Sequence, residues 1–279
     1  MNTEKDIKEM IKEKYSNIAL QDKATNQSSC CGSGCCSTEV YNIMSDDYSN
    51  MDGYEAGADL GLGCGLPTQF AAIKKGDTVI DLGSGAGNDC FIARKETGEE
   101  GRVIGVDFTP AMIEKARANA QKAGFTNVTF RLGDIENIPV PTNFADVVVS
   151  NCVLNLVPHK DMVFKEIFRI LKPGGHFSIS DVVLTGHLPE ALQNEAEMYA
   201  GCVAGAIQKA DYLEMIRANG FSSMAIQKEK PINIPDDILR NYLNEDDLRS
   251  FQSGNTGIFS ITVYAKKSKA CDCGTDCCS

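Results

Sequence analysis

The spacing of apolar residues changes several times along the chain. Ile7, Ile11 and Tyr15 recur at helical intervals and predict a helix over residues 4–20. Residues 21–38 are polar and rich in Gly, Ser and Cys, which predicts a loop. Residues 39–70 are irregular: MDGYEAGADLGLGCGLP holds too much glycine for a long helix. Gly61, Gly63 and Gly65 around Cys64 predict a backbone folded tightly against a neighbour.

From Asp77 onward the pattern alternates. The apolar runs DTVIDLG, RVIGVD, VTFRLGD, ADVVVSNC and HFSISDVVL read as buried strands. Helical stretches separate them: CFIARKET, then MIEKARANAQKAG, then the amphipathic HKDMVFKEIFRIL, stopped by Lys172-Pro173-Gly174-Gly175. Thr109 is placed to cap the second helix, with Pro110 at its first position and Gly124 at its end. Strands alternating with helices of this length predict a parallel sheet with right-handed crossovers. Beyond residue 184, PEALQNEAEMYAGCVAGAI and ADYLEMIRANGF read as helices, SMAIQKEK and GIFSITVYAKK as late strands, and the polar stretch 232–257 lies between them.

Composition narrows the function classes. The 279 residues carry 27 Lys and Arg against 38 Asp and Glu, a net charge of −11. Nothing in that balance offsets phosphate repulsion, so neither nucleic acid nor an anionic membrane is expected as the main partner. The charged N-terminus MNTEKDIKEMIKEKY lacks the apolar stretch of a signal peptide, and no run is long enough to span a bilayer. The expected compartment is the cytoplasm, with reduced thiols. The unusual feature is 12 cysteines beside 3 histidines and no tryptophan. Cys30, Cys31, Cys35 and Cys36 cluster near the start, and Cys271, Cys273, Cys277 and Cys278 at the end. Cys64, Cys90, Cys152 and Cys202 stand singly. With so few histidines, thiolate chemistry toward soft acceptors is the natural expectation.

The strongest motif is VIDLGSGAGND, in which a strand ends at Asp81 and Gly83, Ser84, Gly85 and Gly87 lead into a helix. The glycines allow a tight turn and close approach of a ligand. Asp107, 20 residues past Gly87, ends the next strand, where it can accept both hydroxyls of a ribose. Asp134 ends the third strand, within reach of an adenine amino group. Asp81 and Asp89 put negative charge where a dinucleotide would need its pyrophosphate, which disfavours phosphate and suits a cation.

The glycine loop, the two spaced acids and the KPGG turn resemble the class I S-adenosylmethionine-dependent methyltransferases over residues 75–183. The implied fold is α/β, a Rossmann-like sheet with helices on both faces plus a smaller α+β C-terminal region. The implied cofactor site is Asp81, Gly83, Ser84, Gly85, Gly87, Asp107, Phe108, Met112, Asp134, Ile135 and Asn151. Asn151 either contacts the cofactor or only shapes its turn.

LGCGLP, VVVSNCVLNLVPHKD, ILKPGGHFSISDVV and MYAGCVAGA, with KEKYSNIA and the N-terminal cysteine pairs, resemble the arsenite S-adenosylmethionine methyltransferases over nearly the whole chain. The resemblance implies that Cys64, Cys152 and Cys202 bind trivalent arsenic. It also implies that one N-terminal cysteine of Cys30, Cys31, Cys35 and Cys36, with Cys31 and Cys36 preferred, joins the redox chemistry with Cys64. Arsenite or its thiol conjugates would be the substrate, and a thiol reductant such as thioredoxin or glutathione would reset the disulfide. The implied organisation is an N-terminal helix and Cys-rich segment (1–38), a cofactor-binding domain (39–183), an arsenic-binding and C-terminal region (184–267) and a Cys-rich tail (268–279).

Taken alone, Cys152 and Cys202 can equally be buried small packing residues. Cys90, inside a helix among apolar neighbours, is expected to pack. Asp181 is expected to be structural or a loop anchor. The terminal cysteine clusters read as metalloid-collecting or redox arms, or as tails with incidental thiols. Two other classes remain: a methyltransferase of a small organic acceptor, and a non-catalytic metalloid-sequestering protein.

Overall fold

The computed structural model describes residues 4–21, 46–193, 205–254 and 256–268. Cys202 and both terminal cysteine clusters lie outside these residues.

The apolar runs form the centre of one seven-stranded sheet, in the order β3-β2-β1-β4-β5-β7-β6. Its strands are β1 (Thr78–Leu82), β2 (Arg102–Asp107), β3 (Val128–Leu132), β4 (Ala145–Asn151), β5 (Leu171–Thr185), β6 (Phe221–Pro231) and β7 (Gly257–Lys267). The first five pair in parallel, as the βα alternation predicts. The two late strands extend the same sheet antiparallel, β7 against β5 and β6 against β7. β5 begins at Leu171, before the Lys-Pro-Gly-Gly turn, because Leu171 already pairs with Ala145; regular pairing resumes at His176 after an irregularity.

Around the sheet lie α1 (Glu4–Ala19), α2 (Asn88–Thr97), α3 (Pro110–Lys122), α4 (Lys160–Ile170), α5 (Lys209–Ala218) and α6 (Glu245–Ser253). Thr109 occupies the N-cap position of α3 with extended backbone, but its side chain makes no capping bond. It turns to Asp107, whose Oδ1 also accepts the Thr109 N–H at 2.8 Å. The carboxylate at the end of β2 thus outcompetes the helix for that hydroxyl.

Two apolar layers enclose the sheet. On one side Phe164 of α4 and Tyr212 of α5 meet edge to face, and Phe177 of β5 packs likewise on Phe221. On the other, Phe91, Ile113 and Ala116 cover Val79, Val103 and Val147. A third cluster collects Ile11 of α1, Cys64, Cys152, Val182 and Leu184. Because β1 pairs with β2 on one side and β4 on the other, the chain reverses direction across the sheet at β1, where open α/β sheets bind ligands.

Gly87, at the start of α2, has φ +100°, and a Cβ there would sit 2.9 Å from the ring tips of both Phe91 and Phe130. Gly87→Ala combines backbone strain with overpacking. It is expected to destabilise the fold by about 2–4 kcal/mol, read by chemical denaturation.

Candidate active site

A cleft with about 1050 Å³ of empty space opens at the C-terminal ends of β1, β2 and β4. Of the residues expected to hold a cofactor, Asp81, Gly83, Ser84, Gly85, Asp107, Phe108, Met112, Asp134, Ile135 and Asn151 all line it. Gly87 does not; its place is the packed turn just described.

The cleft is acidic and dry at its floor. Asp59, Asp81, Asp89 and Asp107 are all buried and all face it. Burial pushes the Asp81 carboxyl well above its usual range, with the neighbouring Asp89 adding to the effect. Burial raises Asp89 to about 6, against donation from Tyr48, Asn151 and Thr68. Asp107 is raised by burial too, although it accepts the Gly85 N–H (3.0 Å) and the Thr109 N–H. Its bond to Gly85 fixes the glycine loop on the acid predicted to read the ribose. A cation entering here would relieve the mutual repulsion, whereas a phosphate would add to it. Two buried acceptor groups on the cleft wall, Ser84 Oγ and Asn88 Oδ1, have no hydrogen-bond partner among the described residues. Orphaned polar atoms of this kind fit a polar ligand such as the amino-acid and sulfonium end of S-adenosylmethionine.

Asp134 is engaged differently from expectation. Lys8 of α1 donates to its Oδ2 at 2.7 Å and pairs with Glu136 as well. Lys8 and Tyr15 line the cleft, so α1 forms part of its wall. Asp59, Tyr48 and Lys8 escaped the sequence reading: Asp59 and Tyr48 lie in the irregular stretch 39–70, and Lys8 lies in the predicted N-terminal helix.

The single cysteines separate. Cys152 lines the cleft just past β4 and is 6% exposed. Its φ is +60°, left-handed for a side-chain-bearing residue, and its N–H donates to the Ser180 carbonyl (2.8 Å). Such strain persists only where the surroundings impose it. Cys64 is fully buried in the same apolar cluster as Cys152. Cys90 packs in the α2 face as expected, and its thiol also donates to Asp81 Oδ2 at 3.2 Å. Burial, with Asp81 beside it, pushes that thiol's pKa up. Asp181 is buried, accepts from the Tyr212 hydroxyl (3.4 Å) and is raised to about 7 by burial. None of the three histidines lines the cleft. Among the described residues no three His, Cys, Asp or Glu side chains are grouped to hold a metal ion, and no helix is long and apolar enough to cross a membrane.

The comparisons with known proteins agree with this geometry. A methyltransferase domain family matches residues 73–220. An arsenite methyltransferase of Halobacterium salinarum is 45% identical over 275 residues, covering 94% of this chain and 67% of that protein. The chain belongs to the arsenite methyltransferase family. Another member, from Aquipseudomonas alcaligenes, is 38% identical over 66% of this chain and 54% of its own length. Among solved structures, an arsenic(III) S-adenosylmethionine methyltransferase from Chlamydomonas reinhardtii superimposes with a TM-score of 0.63 at 35% identity, covering 75% of this chain and 68% of that one. The chain thus spans 54–68% of the length of these three proteins.

The raised carboxylates set a pH dependence. Asp89 holds its proton more tightly in the fold than in the unfolded chain, so the ligand-free protein loses stability as pH rises from about 4 to about 6. A cationic cofactor favours the ionised form, so its affinity follows the opposite course. Calorimetric titration with S-adenosylmethionine is expected to show binding weakening by up to about tenfold per pH unit below about 6 and levelling off above it. A flat profile from pH 5 to 7.5 would contradict the assignment.

Proposed function

We propose that the chain methylates trivalent arsenic held by Cys64, Cys152 and Cys202, drawing the methyl group from S-adenosylmethionine in the acidic cleft. The observation that carries this reading is the position of Cys152. A strained backbone holds its thiol on the cleft wall at the end of β4, in one buried cluster with Cys64. A methyltransferase of a carbon acceptor has no need of a paired thiol there.

Residues 39–183 would serve as the cofactor-binding body and 184–267 as the arsenic-side cover. Cys202 lies outside the described residues. Gly205 packs so closely on the Asn155 carbonyl that a Cβ there would come within 2.0 Å of it.

The bound cofactor supplies a methyl group on a positively charged sulfur. Asp81 and Asp89, which line the cleft, would face that charge, and Asp107 would orient the sugar. Apolar Leu156 and Phe108 line the cleft, pack in the cysteine cluster and keep water away. Three thiolates hold arsenic as a pyramid, so its lone pair points away from the sulfurs and serves as the nucleophile. The lone pair needs no deprotonation, in keeping with a cleft that histidine does not line. The protein's share is then positioning, a contribution that reaches about 7–11 kcal/mol in favourable intramolecular cases.

Methyl transfer raises the formal oxidation state of arsenic by two. Two cysteine thiols closing a disulfide supply the two electrons that return it to the trivalent state. Cys64 with Cys31 or Cys36 would form that pair, and a dithiol or glutathione-type reductant would reopen it. The cytoplasm is the compartment that provides such reductants.

Incubation with S-adenosylmethionine, arsenite and a thiol is expected to yield methylated arsenic over time. Cys152→Ser and Cys202→Ser are each expected to lower that rate by at least about a hundredfold while the cofactor dissociation constant stays within about threefold. Full activity in either variant would refute its assignment as an arsenic ligand.

A further inference from the structure

The amide of Asn151 does more than border the cleft. Its Oδ1 accepts the Cys64 N–H at 3.1 Å, and its Nδ2 donates to the Gly65 carbonyl at 2.8 Å. The same Nδ2 reaches Asp89 Oδ2 at 3.3 Å and the Tyr48 hydroxyl. Tyr48 is itself buried; its hydroxyl lies 3.0 Å from the Gly65 carbonyl and 2.9 Å from Asp89 Oδ2. One side-chain amide and one phenol therefore grip the backbone on both sides of Cys64.

Two glycines show how tight the grip is. A Cβ on Gly63 would fall 2.6 Å from Asn151 Nδ2, and one on Gly65 would fall 2.5 Å from Ser180 Oγ. The loop thus presses Gly63 on the Asn151 amide and Gly65 on Ser180, closer than a side chain fits without displacing them. On the far side the Ser260 hydroxyl of β7 donates to the Cys64 carbonyl. Cys64 is in this way anchored from β4, from β7 and from the segment carrying Tyr48, while Asn151, Gly63, Tyr48 and Asp89 all face the cleft.

We propose that the Tyr48 hydroxyl and the Asn151 amide are positioning groups that hold the Cys64 loop in register with the methyl-donor site. Neither touches arsenic; they act through the backbone of a residue that does, so the proposal rests on the reading of Cys64 as an arsenic ligand. The phenol is well suited to the task. It sits beside Asp89, which together with burial keeps it protonated, so it stays a donor across the working pH range. Asp89 in turn is steadied by Thr68 Oγ1 (3.2 Å), a residue that does not line the cleft. Ionised Asp89 accepts these bonds more strongly than the neutral acid, so a cation that keeps Asp89 ionised also fixes the phenol and the amide beside the Cys64 loop.

Tyr48→Phe removes the hydroxyl and keeps the ring. In the full-length, reduced protein, peptide-resolved iodoacetamide labelling is expected to show Cys64 reacting about fivefold or more faster than in wild type, with Cys90 unchanged. Cys90 is equally buried but belongs to α2, so its rate reports any general loosening. The kcat for arsenite methylation is expected to fall about ten- to hundredfold while the S-adenosylhomocysteine dissociation constant moves by less than about threefold. Three results would overturn the proposal: unchanged Cys64 labelling, Cys64 and Cys90 labelling rising together, or a loss of kcat matched by an equal loss of cofactor affinity. Should Tyr48→Phe fail to fold, Asn151→Ala is read by labelling alone, with the same selective rise at Cys64 over Cys90 expected. The labelling needs no arsenic and reports only on the grip. A fully active Cys64→Ser, by contrast, would refute the ligand reading itself.

Discussion

Negative charge kept out of water is the constraint around which this molecule is arranged. Asp81, Asp89 and Asp107 stand at the ends of β1 and β2 and the start of α2, with Asp59 beside them, and all four are buried. Each is tolerated because hydrogen-bond donors are aimed at it. Asp89 takes Tyr48, Thr68 and Asn151; Asp107 takes two backbone N–H groups; Asp81 takes the Cys90 thiol. Those donors reach only part of the burial penalty, which is why the carboxyls still titrate high. The remainder is a standing preference for a cation in the cleft.

Two of the donors that steady Asp89, Asn151 and Tyr48, also hold the backbone around Cys64. Asn151 bonds both Asp89 and the backbone of Cys64, and the next residue, Cys152, is turned into the cleft by a left-handed φ. β5 then secures Cys152 through the Ser180 carbonyl. The acidic and thiol halves of the site are thus one hydrogen-bonded unit centred on the end of β4. Its two halves face different chemistry: a hard, charged recess on one side and a soft, apolar one on the other. That division matches a reaction between a cationic donor and a soft acceptor.

α1 closes the arrangement. Ile11 enters the cluster that contains Cys64 and Cys152, Lys8 pairs with Asp134 and Glu136, and Lys115 of α3 donates to the carbonyls of Ala19 and Gln21 at the helix end. One helix therefore touches both the Asp134 end of the cleft and the thiol cluster. The charge pair is partly exposed and screened by solvent, so the apolar contact of Ile11 carries more of the docking than the ion pair does.

What the amino-acid sequence determined by itself is everything that local pattern encodes. Apolar runs of strand length separated by helical repeats specified the parallel centre of the sheet. The glycine loop and the acids at strand ends specified the cofactor wall, since each sits at a fixed offset from its own strand. Cys152, one residue past a strand end, was legible for the same reason. Tertiary structure alone decided the rest. The partners of Asn151 lie 62–103 residues away and those of Lys8 lie 126 and 128 away, separations at which no periodicity survives. The antiparallel docking of β6 and β7 onto β5, the engagement of Asp134 by Lys8, and the role of Tyr48 from an irregular segment belong to this class. Each arises because a buried polar group must find a partner wherever the folded chain brings one, and only the completed packing determines where that is.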